Sequence, residues 1–317
     1  MSKSFQFLFI LASLTTISSA QTITETFGSG ANAFTIDFVT IGNPGNAADT
    51  TGTPNPVGRV DYTYNLGKYE VSRDMVEKAN ILGSLGITLA DISSYGGNGV
   101  NKPATGTSWL EAAKYVNYLN TNSGGVAAYK FDGAGNFQLW SSGDAGYSSS
   151  NQFRNSLAKY FLPSSNEWFK AAYGNPSGTW SNYPSGSGDV APRAVSSGTF
   201  YGTAVYNGQI GPADITNSGG LSGFGAMALG GNAWEWTESA YDGSNDTNGE
   251  VRVLRGGSWV NDSSNLDAGN LFGLYPGDEV SFSPFIGFRV AMIPEPSSLL
   301  LLALGGAVVA LGRRKRA

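Results

Sequence analysis

Gly231-Asn232-Ala233-Trp234-Glu235-Trp236 and, further on, Arg252-Val253-Leu254-Arg255-Gly256-Gly257-Ser258-Trp259 carry the densest information in the chain. Trp234 and Trp236 stand two apart, so a strand puts both on one face and Glu235 on the other. Two tryptophans on one strand face anchor a core. Gly256-Gly257 permits a positive φ or a close backbone approach, hence a tight bend ahead of Ser258-Trp259. Arg255, and Arg289 in the later segment Gly287-Phe288-Arg289-Val290-Ala291, have carboxylates such as Glu235 or Glu167 as candidate partners. Packing and pairing are therefore the roles expected of Trp234, Trp236, Arg255, Gly256, Gly257, Ser258, Trp259 and Arg289.

Working outward, strands are expected over 234–237, 251–254 and 288–292. Asn248-Gly249 reads as a type I′ hairpin turn. Upstream, Ser108-Trp109-Leu110-Glu111 is a capping box opening a helix that Gly124-Gly125 stops. Ser164 and Glu167 repeat the pattern ahead of Trp168-Phe169-Lys170-Ala171-Ala172. Ser72, with Asp74 behind it, caps a shorter helix to about Leu82. Tyr62 to Tyr69 alternates bulky and polar residues as a strand does, and Phe34, Ile36 and Phe38 suggest one or two edge strands. The 44 glycines, many of them between Gly174 and Gly223, argue for irregular backbone. The fold class is α+β, a few helices packed on short antiparallel strands with much loop.

The chain has 317 residues, a formal net charge of −5, no cysteine and no histidine. An acidic surface disfavours nucleic acid and anionic membranes as partners. Without cysteine the core holds the fold with no disulfide. No thiol nucleophile, thiolate metal site, imidazole base or Ser-His-Asp triad can be built.

Both ends read as addresses. Lys3, an apolar stretch from Phe5 to Leu14 and Ser18-Ser19-Ala20 have the layout of a secretory signal peptide over 1–20. At the other end Pro294-Glu295-Pro296 precedes an apolar run from Leu299 to Leu311 and then Arg313-Arg314-Lys315-Arg316. The basic cluster would stay cytoplasmic and leave the domain outside. This layout over 294–317 resembles the PEP-CTERM sorting tail. The resemblance implies recognition by an exosortase and a transient inner-membrane anchor through the tail helix. It then implies release to the surface or extracellular matrix of a Gram-negative bacterium.

Six segments in order resemble the sulfatase-modifying-factor domain, the family of formylglycine-generating enzyme. They are Gly67-Lys68-Tyr69-Glu70-Val71-Ser72, Thr107 to Ala113, Phe161 to Ala172, and the three segments around Trp234, Arg255 and Arg289 quoted above. The resemblance implies a C-type-lectin-like core over 62–293, with 21–61 as an N-terminal extension of strand and loop. The copper-dependent members place two cysteines after the Gly-Gly-Ser-aromatic motif, and those positions fall here at Asn261 and Leu266. Copper(I) needs soft thiolates. The iron-dependent relatives use histidines. No copper, iron or zinc site is expected, and no catalytic residue is assigned.

For calcium the resemblance implies Glu235 with the carbonyls of Gly231 and Ala233, hard oxygen ligands that suit the ion. A further family ligand falls at Ala228, so an arginine-paired structural Glu235 stands beside the calcium reading. Tyr129, Phe131, Phe137, Trp140, Trp180 and Tyr183 are candidates for sugar-stacking surfaces or for the core. The function expected is a non-catalytic one, binding of an extracellular polysaccharide or protein. The alternative is an enzyme of unrecognised chemistry drawing on Asp262, Ser263 and Asp267.

Overall fold

The computed structural model describes residues 22–277 and 284–294. The expected signal peptide, Glu295 and Pro296 of the sorting motif and the apolar tail helix lie outside the described residues. Among the described residues no helix is long and apolar enough to cross a membrane.

The chain opens with an antiparallel pair, β1 (Thr22–Phe27) and β2 (Phe34–Ile41), in a register that sets Phe27 against Phe34. β3 (Tyr64–Gly67), α1 (Arg73–Gly83) and α2 (Trp109–Asn122) follow. A two-strand ribbon, β4 (Lys130–Phe131) with β5 (Phe137–Gln138), leads to β6 (Tyr160–Phe161) and α3 (Ser165–Tyr173). A short parallel pair, β7 (Arg193–Ala194) with β8 (Thr203–Ala204), sits in the long loop region. The last third holds β9 (Trp234–Ala240), β10 (Arg252–Arg255), β11 (Phe272–Leu274), β12 (Ile286–Phe288) and β13 (Ala291–Met292).

Two sheets carry the architecture, one ordered β1-β2-β3-β13-β6 and one ordered β11-β10-β9-β12. Neighbouring residues of the five-stranded sheet enter different cores: Phe38, Tyr160 and Met292 on one face, Val39, Phe161 and Ala291 on the other. The first face is covered by α1 and α2, the second by α3 with Trp168, Phe169 and Tyr173. A sheet covered on both faces buries β3 throughout, including Asn65, whose Oδ1 accepts from Thr40 Oγ1 at 2.9 Å.

The helix starts follow the local chemistry. Ser108 Oγ accepts from the Glu111 amide while Glu111 Oε2 accepts from the Ser108 amide, and Ser164 and Glu167 repeat the exchange. Each box satisfies amides that a helix N-terminus leaves without partners.

Four expectations are corrected. The segment 21–61 is no extension: β1 and β2 belong to the main sheet, and Phe27, Phe34, Ile36 and Phe38 fill the principal core. The single strand expected over 288–292 is two. The chain leaves the four-stranded sheet after Phe288, turns Arg289 inward, and enters the other sheet at Ala291. The four-stranded sheet is mixed, because β12 runs parallel to β9. Of Asn248-Gly249 only Gly249 takes a positive φ (77°), whereas a type I′ turn needs both, so β9 and β10 are joined by a longer loop.

Candidate functional site

β9 places Glu235 at the seam between the sheets and α3. Its carboxylate is fully buried, and the Arg289 guanidinium binds it twice, Nη2 donating to Oε1 at 2.5 Å and Nε to Oε2 at 2.6 Å. Trp168 Nε1 donates to Oε2 at 2.6 Å. Arg289 spends its remaining donors on the carbonyls of Gly67 and Met227. One ion pair thus ties β3, α3, β9 and the β12–β13 crossover together. The expected pairing of Arg289 with Glu235 holds.

Arg255 departs from expectation, since among the described residues it meets no carboxylate. Nε donates to Ser165 Oγ at 2.9 Å, Nη1 to the Asn270 carbonyl at 3.2 Å and Nη2 to the Thr53 carbonyl at 2.5 Å. Burial pulls its pKa down to about 10, which leaves it charged at neutral pH. Trp234 and Trp236 share the expected face of β9, and the Trp236 indole donates to the Thr107 carbonyl. Gly256 and Gly257 take φ of 98° and 73°. A Cβ on Gly257 would come within 2.9 Å of Leu266. The bend turns Trp259 into a small cluster with Val205 and Ala213.

The calcium set does not fit an ion. Both Glu235 oxygens accept from Arg289, and one accepts from Trp168 as well, so the carboxylate is engaged by a cation of the protein itself, as the arginine-paired reading has it. The nearby acid is Glu70, 1% exposed, whose Oε2 accepts from Asn232 Nδ2 at 2.6 Å while Oε1 has no hydrogen-bond partner. Burial, then the neighbouring Glu235 charge, push its pKa well above the ordinary carboxylate range.

Asn261 and Leu266 fall on either side of a short turn. Asn261 Oδ1 accepts from the amide and hydroxyl of Ser258, at 2.9 and 2.7 Å. Leu266 is wholly buried with Ala204 and Tyr206, and Tyr183 packs against that cluster. Asp262 and Asp267 are spent on their own turns, accepting from Ser264 and from the Gly269 amide.

The aromatic candidates divide. Tyr129 and Phe137 are core residues, and the Tyr129 hydroxyl donates to Glu238. Phe131 is half-buried against them, and the Trp140 indole donates to the Ala128 carbonyl. Trp180 and Tyr183 instead line a cleft of about 580 Å³ together with Tyr201, Asn175, Thr179 and Asp189. The Ser181 amide donates to the Tyr173 carbonyl, which hangs this loop from the end of α3. The Trp180 ring leans on Phe169 at 5.5 Å. Tyr201, 79% exposed beside Phe200 at 74%, lies against the backbone of Gly186. Neither was singled out from sequence, because the Gly- and Ser-rich flanks give no periodicity from which exposure could be read.

The model of the sulfatase-modifying factor enzyme 1-like domain matches residues 39–293. The chain belongs to that family. Over residues 293–316 it also carries the PEP-CTERM protein-sorting motif, which marks an exported, exosortase-sorted protein. Solved structures similar to this sulfatase-modifying-factor-like domain include Treponema denticola variable protein 1, at 18% identity and TM-score 0.57, covering 86% of this chain and 99% of that one. CarF, at 18% and 0.54, covers 82% and 99%. PvdO from Pseudomonas aeruginosa, at 18% and 0.50, covers 85% and 98%. These likenesses bear on fold, and the fold is the α+β, C-type-lectin-like one expected. A search among curated proteins gives no match.

Proposed function

We propose that this exported domain binds a polysaccharide outside the cell through the cleft of Trp180, Tyr183 and Tyr201. The observation that carries the reading is the cleft itself. Three aromatic rings stand beside Asn175, Thr179 and Asp189 in a concavity of about 580 Å³, the pairing of apolar faces with hydrogen-bonding groups that a sugar ring requires. Tyr183 connects it to the turn where the family's cysteines would stand, since it packs against the cluster that holds Leu266. In this reading the region has exchanged thiol chemistry for a packed floor beneath a binding surface. Exosortase handles the tail, and the domain remains at the surface or in the matrix. Calcium is not required, because Glu235 is held by Arg289 rather than left open.

The test is binding of the full chain to the producing organism's own extracellular polysaccharide, in calcium and then in chelator. Saturable binding indifferent to the chelator, and weakened about tenfold or more by Trp180→Ala or Tyr201→Ala, is expected. Absence of saturable binding in both conditions, or full binding by both variants, would reject the cleft.

A further inference from the structure

A second concavity, of about 470 Å³, lies at α3's first turn, where Thr53, Ser165, Asn166, Tyr241, Asp242 and Asn270 are among its walls. Three of these wall residues, Thr53, Ser165 and Asn270, are the three that accept hydrogen bonds from Arg255. The guanidinium therefore sits directly behind the wall, fully buried, with the Phe169 ring 5.2 Å from it. Its partners are two carbonyls and a hydroxyl, one for each nitrogen, and among the described residues no carboxylate bonds to it.

A buried charge with no counter-ion is costly unless something meets its field. Field lines from such a group run through low-dielectric protein and are focused into the nearest concavity, where the walls hold back part of the solvent screening. Asp242 is the acid on the wall. It is exposed, and its Oδ1 accepts from the Ser244 amide, so it is turned to its own loop and screened by solvent. Tyr241 supplies a flat face. It is 54% exposed, and its ring lies so close to β11 that a Cβ on Gly273 would come within 2.5 Å of it. Backbone behind the ring holds it in place with little rotamer entropy left to lose on binding.

From this juxtaposition of an uncompensated buried guanidinium and a backed tyrosine ring, we infer that the cleft between Tyr241 and Asn270 binds an acidic sugar unit, a carboxylate-bearing residue of a polysaccharide. The ring takes the apolar face of the sugar, the amides of Asn166 and Asn270 meet its hydroxyls, and the carboxylate lies over the wall that Arg255 holds. The inference rests on the carbohydrate reading for its ligand class only, since the cleft is separate from that of Trp180.

The decisive comparison uses an oligoglucuronate and a neutral oligoglucose of equal length, titrated calorimetrically into the full chain and into its Trp180→Ala variant. Both proteins should bind the acidic oligosaccharide roughly tenfold more tightly, with the preference shrinking at high salt. Ser165→Asp places a carboxylate beside the Arg255 Nε at a first-turn position that favours acids, so it cancels the charge without removing a wall. It should abolish the preference while the unfolding temperature holds or rises. Tyr241→Ala, at an exposed ring the fold does not need, should weaken the acidic ligand several-fold. Equal binding of the two probes, or a preference intact in Tyr241→Ala, overturns the inference. Loss of the preference in Trp180→Ala alone would return the effect to the first cleft and also overturn it.

Discussion

At the residue scale, two carboxylates with one arginine between them set the character of the centre. Arg289 gives two hydrogen bonds to Glu235 and none to Glu70, and burial, then the Glu235 charge, hold the Glu70 carboxyl well above the ordinary carboxylate range. For an acid whose folded pKa lies above its ordinary 4.5, the folded state holds a proton that the unfolded chain has released. Its stability contribution is fully present below that ordinary value and is lost as pH rises toward the folded one. Glu70→Gln should therefore stabilise the protein by about 1–2 kcal/mol at neutral pH and by much less in mild acid, read from denaturant unfolding at both. An equal gain at both pH values would show that Glu70 is charged in the fold. Arg289→Met strands Glu235 without its cation and should cost about 3–5 kcal/mol, measured the same way. A cost within about 1 kcal/mol would remove the pair from its place at the seam. The partnership was legible as a choice of carboxylates for two arginines, and only one arginine took one. Arg255's use of Thr53 and Asn270 was illegible, because bonds to distant carbonyls leave no trace in side-chain chemistry.

Elements announce themselves when their signals are local. Serine followed three residues later by glutamate gave the starts of α2 and α3, since both halves of each bond lie within one turn. Ser164→Ala should cost about 1 kcal/mol, with the range of about 0.5–2 usual for a lost N-cap, and thermal melts would register it. No change would mean that tertiary packing alone starts α3. Strands were harder. The run 288–292 is apolar but for Arg289 and short enough for one strand, yet the sheets demand a crossover in its middle, a requirement set by β3, β6 and β9. Arg252 was quoted in its motif but not weighed. Its guanidinium lies against both Trp109 and Phe153, 4.7 and 3.8 Å from the ring centroids, a contact that joins β10 to α2 across the core.

For the whole molecule, the core is shared between the first strands and the last. Phe27, Phe34, Ile36 and Phe38 stand in one cluster with Trp236 and Phe288. A chain beginning at Tyr62 should thus lose cooperative thermal unfolding, and a sharp transition in such a chain would restore the boundary expected from sequence. The overall class was readable because glycine-rich loops, short strands and boxed helices exclude long helical or parallel architectures. The second cleft was not readable, as it is assembled from segments far apart in sequence, such as Thr53, Ser165, Tyr241 and Asn270.

The place where the sorting sequence joins the fold has a mechanical meaning. Ile293, whose amide donates to the Lys159 carbonyl, is followed at once by Pro294, and β13 lies between β3 and β6 inside the five-stranded sheet. A pull at Pro294 meets the sheet with a single residue between. The tension enters at the middle of the sheet, where bonds to both neighbours must give together instead of opening one by one from an edge. Two residues further in, the load reaches Arg289 and the seam it closes. A pull applied at Pro294 would therefore load the sheet as one body and not peel it from an outer strand.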